Sequence, residues 1–288
     1  MFLVEKVRFR FEYWLDSTQK IFIIATVPGK PINSEVILMC NLVKKLCGMT
    51  VLLAAINTPA ALNPYSQDFE GLNQADPNAL SSDGWLVFGN VFDSFNSYLY
   101  GYGSYGAPNY GGPAFSAIDL NQGGPDQGNQ VLSIYNDYNN TDHGLGFLVE
   151  ANVFQERTID AGDVGKTYFL SFDAKLGNLS GGSTAVAFIK TLDPNSGYYQ
   201  SSLLTFETTY LPVSWGTYGG PGSTLEITID ASLEGQLLQF GFASTATFYE
   251  GSGVFYDNIN FAEVPEPTVF ALAGLGAMLM TLRRRGRH

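Results

Sequence analysis

From residue 62 onward the chain reads as short apolar or alternating runs set between clusters of Gly, Asn, Asp, Pro and Ser, and helical periodicity is nearly absent. Lys166-Thr167-Tyr168-Phe169-Leu170-Ser171-Phe172-Asp173-Ala174 alternates. So does Thr224 to Asp230, where Leu225, Ile227 and Ile229 share one face and Glu226 and Thr228 the other, the period of two expected of a half-buried strand. The same reading predicts strands near 84–91, 130–136, 146–155, 166–174, 184–192, 199–208, 224–230, 236–243 and 253–262. Between two of them, Asp193-Pro194-Asn195-Ser196-Gly197 has turn chemistry throughout and reads as a hairpin connection. Short strands with close turns predict an all-β fold, an antiparallel β-sandwich with jelly-roll topology, as a single domain over residues 62–263.

The two ends depart from this texture. Val264-Pro265-Glu266-Pro267 is followed by an apolar run over 268–282 and then by Arg283, Arg284, Arg285, Gly286, Arg287 and His288. As a helix the run would reach roughly 22 Å against roughly 30 Å for a bilayer core, a short transmembrane span that arginine snorkelling and local thinning accommodate. The arginines are expected in the cytoplasm, and the prolines separate the span from the body. Pro265, Glu266 and Pro267, the apolar helix and the cluster Arg283, Arg284 and Arg285, in this order, resemble the PEP-CTERM sorting signal. That resemblance implies recognition by an exosortase in the inner membrane, cleavage near the triplet, and release or re-anchoring at the surface of a bacterium that secretes exopolysaccharide and builds biofilm. The alternative is an ordinary C-terminal membrane anchor. Near the other end, Lys44 and Lys45 form a basic region, Leu46 to Ile56 an apolar one, and Thr58, Ala60 and Ala61 a small-residue cleavage site, so 39–61 reads as a signal peptide. Residues 1–38 build no clear domain and read as a gene-model extension ahead of Met39, or else as an unusually long leader.

Charge and cysteine usage narrow the function. Residues 62–264 carry 22 Asp and Glu against Arg157, Lys166, Lys175 and Lys190, a formal −18. Such a surface repels phosphate backbones, which excludes nucleic acid as a partner, and suits divalent cations and neutral partners such as sugars. Both cysteines, Cys40 and Cys47, lie in the segment to be removed, so the exported body has no disulfide and rests on its core.

Four patterns in order, Asp68-Phe69-Glu70-Gly71 reaching Gly84-Trp85, then Gly128-Asn129-Gln130-Val131-Leu132, then 166–174, then Gly253-Val254-Phe255-Tyr256-Asp257-Asn258-Ile259-Asn260-Phe261, resemble the carbohydrate-binding-module-like, galactose-binding-like jelly rolls. That resemblance implies that Glu70 and Asp257 lie side by side and ligate a structural calcium together with backbone carbonyls. The alternative is a pair of solvated or hydrogen-bonded carboxylates at a sheet edge.

For binding, the stretch from Phe95 to Phe115 reads as a loop that sets Tyr98, Tyr100, Tyr102, Tyr105 and Tyr110 among glycines, flat faces with polar tips on which sugar rings can stack. Its plainer reading is a low-complexity surface loop. Trp215, beside Gly216 and Tyr218, is a further carbohydrate-binding candidate, whereas Trp85 is expected in the core. No catalytic constellation emerges: His143 reads as a solvated turn histidine and no nucleophile motif accompanies it. The expected function is an exported surface or matrix protein whose sandwich binds polysaccharide or forms surface material. The alternative is a glycoside hydrolase or lyase acting on extracellular polysaccharide.

Overall fold

The computed structural model describes residues 10–15, 21–26, 62–104 and 115–265. Two compact units divide the chain, residues 1–57 and 58–288. In the first, β1 (Arg10–Leu15) pairs antiparallel with β2 (Ile21–Thr26). This hairpin falls where the sequence suggested no element; Phe11, Tyr13 and Leu15 alternate with Arg10, Glu12 and Trp14, the period that marks a strand. The expected signal peptide at 39–61 and apolar helix at 268–282 lie outside the described residues. No helix among the described residues is long and apolar enough to cross a membrane.

The second unit contains two antiparallel sheets packed as a sandwich. Its strands are β3 (Tyr65–Gln67), β4 (Trp85–Phe92), β5 (Tyr98–Ser104), β6 (Ser116–Leu120), β7 (Gln130–Ile134), β8 (Leu148–Thr158) and β9 (Thr167–Leu176). They continue as β10 (Thr184–Asp193), β11 (Tyr199–Glu207), β12 (Gly216–Gly219), β13 (Glu226–Thr228), β14 (Leu237–Ala246) and β15 (Val254–Glu263). A one-turn helix, α1 (Ala79–Ser82), precedes β4. One sheet runs β11-β10-β14-β8-β4-β5; the other runs β12-β9-β15-β7-β6, with β13 also on β9 and β3 also on β15. Every strand expected from the periodicity is present, as β4, β7 to β11 and β13 to β15. The 224–230 segment shortens to Glu226–Thr228, because Asp230 turns to cap the 3-10 turn Ala231–Leu233 and accepts from the Ser232 amide at 2.7 Å.

Four strands escaped the alternation rule. β3 and β12 are too short to show a period, and β6 is bounded by glycine-rich sequence. β5 is the clearest correction: the stretch read as a loop forms a strand over Tyr98–Ser104 on the edge of the six-stranded sheet. Tyr98, Leu99, Tyr100 and Gly101 do alternate in size, but glycine content masked the pattern.

The core is aromatic. Phe240 and Phe261 stack across the two sheets with centroids 4.3 Å apart, Phe242 and Tyr256 at 3.8 Å, and Phe172 meets Phe242 edge-on at 5.2 Å. Pairs of this kind add about 0.5–1.5 kcal/mol each beyond the area they bury. Trp85 is buried among them as expected, its indole N–H donating to the Tyr65 hydroxyl at 2.7 Å. Leu225, Ile227 and Ile229 all face inward.

Candidate functional site

Alternation that sends Trp85, Val87 and Val91 into the core sends Leu86, Phe88 and Asn90 of β4 outward. On β8 the outward positions are Glu150, Asn152, Phe154 and Glu156; on β14, Gln239 and Gly241; on β10, Phe188 and Lys190. Register sets them in rows: Lys190, Gln239 and Glu156 are successive cross-strand partners, as are Phe188, Gly241, Phe154 and Leu86, and then Asn152 with Phe88, and Glu150 with Asn90. Two polar rows thus enclose an aromatic one, forming a groove of about 420 Å³. Gly241 has to be glycine, because a Cβ there would meet the Val153 carbonyl oxygen at 2.2 Å. With no side chain at that position, Lys190 Nζ reaches 5.4 Å from the Phe154 ring centre and 4.6 Å from that of Phe188.

The polar groups hold one another in place. Glu150 Oε1 accepts from Asn90 Nδ2 at 2.8 Å and from Asn152 Nδ2 at 2.9 Å, and Glu156 Oε2 accepts from Gln239 Nε2 at 2.7 Å. Both amides therefore turn their oxygens away from their carboxylates, and among the described residues Asn152 Oδ1 and Gln239 Oε1 have no hydrogen-bond partner. A buried acceptor left unmet costs about 1–3 kcal/mol. Burial pushes the Lys190 ammonium below its ordinary pKa, and Glu150 and Glu156 pull it partly back. These two carboxylates are six residues apart on one strand, about 20 Å at ~3.4 Å per residue. Paired glycosidase carboxyls stand about 5–10 Å apart, so this pair cannot act in that way.

A second polar cluster is buried where the first strand of the sandwich meets the last. β3 pairs with β15, and one extra residue bulges from β15 between Asp257 and Asn260, with Asn258 at φ 46°. Asp257 is fully buried and stands opposite Asp173 on β9. Asp173 is satisfied by Gln127 Nε2 at 2.7 Å, Asn258 Nδ2 at 2.8 Å and Thr217 Oγ1 at 2.6 Å. Asp257 Oδ1 accepts only from the Asn258 amide at 2.7 Å, and Oδ2 has no partner among the described residues. Burial, then the charges of Asp173, Asp68 and Glu70, push this carboxyl up to about 7. Glu70 Oε1 accepts from the amides of Asn129 and Gln130, both at 2.6 Å. The donors are all hard oxygens, as calcium requires, and the orphaned Oδ2 in a field of carboxylates fits a positive charge. Among the described residues no group of three or more His, Cys, Asp or Glu is placed to hold a metal, so carbonyl oxygens would have to complete any shell.

The other residues expected from the sequence scatter. Tyr98 reaches the rim of the groove sheet: its ring meets Phe92 edge-on at 5.8 Å, and a Cβ on Gly101 would touch both its hydroxyl and Asn90 Oδ1. Tyr100 turns elsewhere, donating to Asp142 and accepting from Asn140 Nδ2 at 3.3 Å. Tyr102 lies in β5, whereas Tyr105 and Tyr110 fall outside the described residues, as do Glu266, Pro267, Arg283, Arg284 and Arg285; Pro265 is exposed at the end of the described chain. Trp215 stands half-buried on the opposite, seven-stranded sheet, so the expected sugar-binding residues do not form one patch. His143 is a correction: it is buried, not solvated. The 3-10 turn Thr141–Leu145, capped by Asn140 and ended by Gly146 at φ 75°, folds the imidazole inward between Tyr138 and Tyr249, where burial lowers its pKa. Sequence reasoning missed the groove residues although their signal was present, in polar and aromatic side chains at the outward positions of strands it had already found.

No family model matches the sequence and no curated protein matches it. Solved structures resemble parts of the fold. The CBM22-1 xylan-binding domain of Paenibacillus barcinonensis Xyn10C is 12% identical, with 72% of this chain and 96% of that one covered at a TM-score of 0.37. The CBM22-1–GH10 modules of Clostridium thermocellum Xyn10B, complexed with xylohexaose, are 9% identical over 72% of this chain and 29% of that one, also at 0.37. The enzymatically active domain of bacteriophage CBA120 tailspike protein 4 is 12% identical over 63% and 19%, at 0.35. The chain thus spans less than a third of the length of the last two.

Proposed function

We propose that the sandwich is a non-catalytic polysaccharide-binding module whose binding face is the outer side of the six-stranded sheet. The observation that carries this reading is the groove itself, in which the rings of Phe88 and Phe154 lie between Lys190 and Gln239 on one side and Asn90 on the other. Lys190 donates to sugar hydroxyls at the groove wall, and the rings of Phe88 and Phe154, stacked at 5.9 Å, offer an apolar floor to a pyranose. Tyr98 extends that floor at the edge.

The topology supports a jelly roll, since the chain crosses between sheets at most connections and stays within one at β4–β5, β6–β7, β10–β11 and β12–β13. Calcium is the ion that this reading assigns to Glu70 and Asp257; it would neutralise the orphaned carboxylate and tie the first strand to the last. The order of Pro265-Glu266-Pro267, apolar run and arginines supports export followed by exosortase processing, which would place the module at the cell surface or in the matrix.

Affinity electrophoresis of the full chain through gels containing polysaccharide tests the face. Lys190→Met keeps the stem packed on Phe154 and Phe188 but removes the donors, so retardation should fall, with the affinity of this face at least tenfold weaker, while the melting temperature holds or rises. Undiminished retardation of both Lys190→Met and Phe88→Ala would rule the face out.

A further inference from the structure

The outer side of the seven-stranded sheet carries a larger trough, about 700 Å³, within the range of small-ligand sites. Its walls are aromatic and held in place. Tyr135 and Tyr138 lie parallel, 5° apart with centroids at 6.5 Å, and the Tyr138 hydroxyl is fixed by Ser252 Oγ at 2.8 Å and by the Ser252 amide at 2.9 Å. Phe255 and Lys175 also line it, Lys175 Nζ sitting 5.2 Å from the Phe255 ring centre and 5.1 Å from that of Trp215 next to the trough. Lys175 and the Trp215 indole both donate to one acceptor, the Gln122 carbonyl, at 2.6 and 3.1 Å. At one end the floor is bare backbone: a Cβ on Gly253 would strike Asn178 Oδ1 at 2.5 Å.

Lys175 decides what this trough can hold. The only ion pair between described side chains is Lys166 with Glu263 at 3.6 Å, so Lys175 is paired with no carboxylate even though acidic residues outnumber basic ones in this body by 22 to 4. Its ammonium has three donors, of which the Gln122 carbonyl takes one. The remaining donors point to a ligand rich in oxygen acceptors. A polyanion is disfavoured by the formal −18 of the body and by Asp119 within the trough. A cation is disfavoured by Lys175 itself. Flat rings on both sides, two spare ammonium donors, and Ser133, Gln122 and Asn178 along the walls match the alternating apolar faces and hydroxyl rims of a neutral sugar chain.

We propose that this trough is a second glycan-binding site, specific for neutral polysaccharide, so that one module grips two chains from opposite faces. The inference rests on the reading of the body as a polysaccharide binder, and it adds a consequence: a module with two sites on opposite faces cross-links chains, whereas a module with one site only coats them.

The test uses the full chain and a panel of soluble neutral polysaccharides, namely xylan, mixed-linkage β-glucan, galactomannan and dextran, with alginate as the acidic arm. On the neutral polymer that retards it, the parent should raise viscosity or precipitate the polymer. Lys175→Met and Lys190→Met should each remain retarded, with binding at least tenfold weaker in one class of site, and should each lose cross-linking. The double variant should lose retardation. If Lys175→Met and Trp215→Phe cross-link like the parent while Lys190→Met abolishes binding, the second site falls and the first stands. If Lys175→Met alone abolishes binding, the first face falls and the second stands. Failure of every neutral polymer, or stronger retardation by alginate, would overturn the inference. So would a dimer of the parent that Lys175→Met dissociates, since the trough would then be a contact between copies of the chain.

Discussion

On the six-stranded sheet Lys190 stands over Phe154 and Phe188, and on the seven-stranded sheet Lys175 stands over Trp215 and Phe255. Burial lowers the pKa of both ammonium groups. Their surroundings differ. Lys190 feels Glu150 and Glu156, whose oxygens are occupied in orienting Asn90, Asn152 and Gln239, so charge on that face is spent on positioning neutral amides. On the other face, Asp119 lines the trough, while Asp173 and Asp257 are buried along the same strands as Lys175 and Phe255, and Asp257 keeps an oxygen with no partner among the described residues. A carboxylate that accepts from neutral amides builds a surface for hydroxyls. One that is buried beside others builds a demand for a proton or a cation, which stabilises the fold only when that demand is met.

The largest expected effect tests this second half. With its carboxyl raised from 3.8 to about 7, the folded state holds a proton that the unfolded chain has released between those values. The contribution of Asp257 to stability is therefore complete below pH ~4 and is lost as pH rises through about 7. Three units correspond to at most about 4 kcal/mol, and for a domain of this size each kcal/mol moves the melting temperature by roughly 2–4 °C. In chelator at pH 8, Asp257→Asn should melt roughly 8–16 °C above the parent, and the gap should close toward pH 4; scanning calorimetry of both across that range decides it. Calcium at about 1,000-fold over its dissociation constant should restore roughly 4 kcal/mol to the parent and little to Asp257→Asn or Glu70→Gln. Parent curves that coincide with and without calcium would remove the ion from the account.

A smaller effect separates the two lysines. Lys190→Met relieves a buried charge whose penalty is present below its lowered pKa and disappears as pH approaches 10.5, so at pH 7 the variant should be as stable as the parent or more so. Lys175→Met loses the 2.6 Å bond to Gln122 along with the charge, and should gain less or lose slightly; urea midpoints measured side by side give the order. The smallest effects belong to the tyrosines. Tyr98→Ala should weaken glycan retardation about two- to fivefold, since an exposed ring at the rim contributes of order 0.5–1 kcal/mol. Tyr100→Phe, which loses its link to Asp142 and Asn140, should leave retardation unchanged and cost about 1 kcal/mol or less of stability.

The alternating hydrophobicity was enough to find the strands that make up most of both sheets, because a strand buried on one face writes its period into the residues it spans; Leu225, Ile227 and Ile229 show this in three consecutive inward positions. It also settled that Trp85 would be buried and that 193–197 would turn, where Asp193 accepts from the Asn195 amide at 2.9 Å and Gly197 takes φ 67°. Local sequence could not determine which outward side chains would meet. Asn90, Asn152, Gln239 and Lys190 come from four strands far apart in the chain, and only register makes them neighbours. The same holds for Asp173 and Asp257, each unremarkable in its own strand and joined only by cross-strand pairing, and for His143, whose turn reads as solvent-exposed until Tyr138 and Tyr249 close over it. Periodicity is a property of one strand, whereas a binding face and a buried charge are properties of strands side by side, and pairing between strands is decided by the whole core.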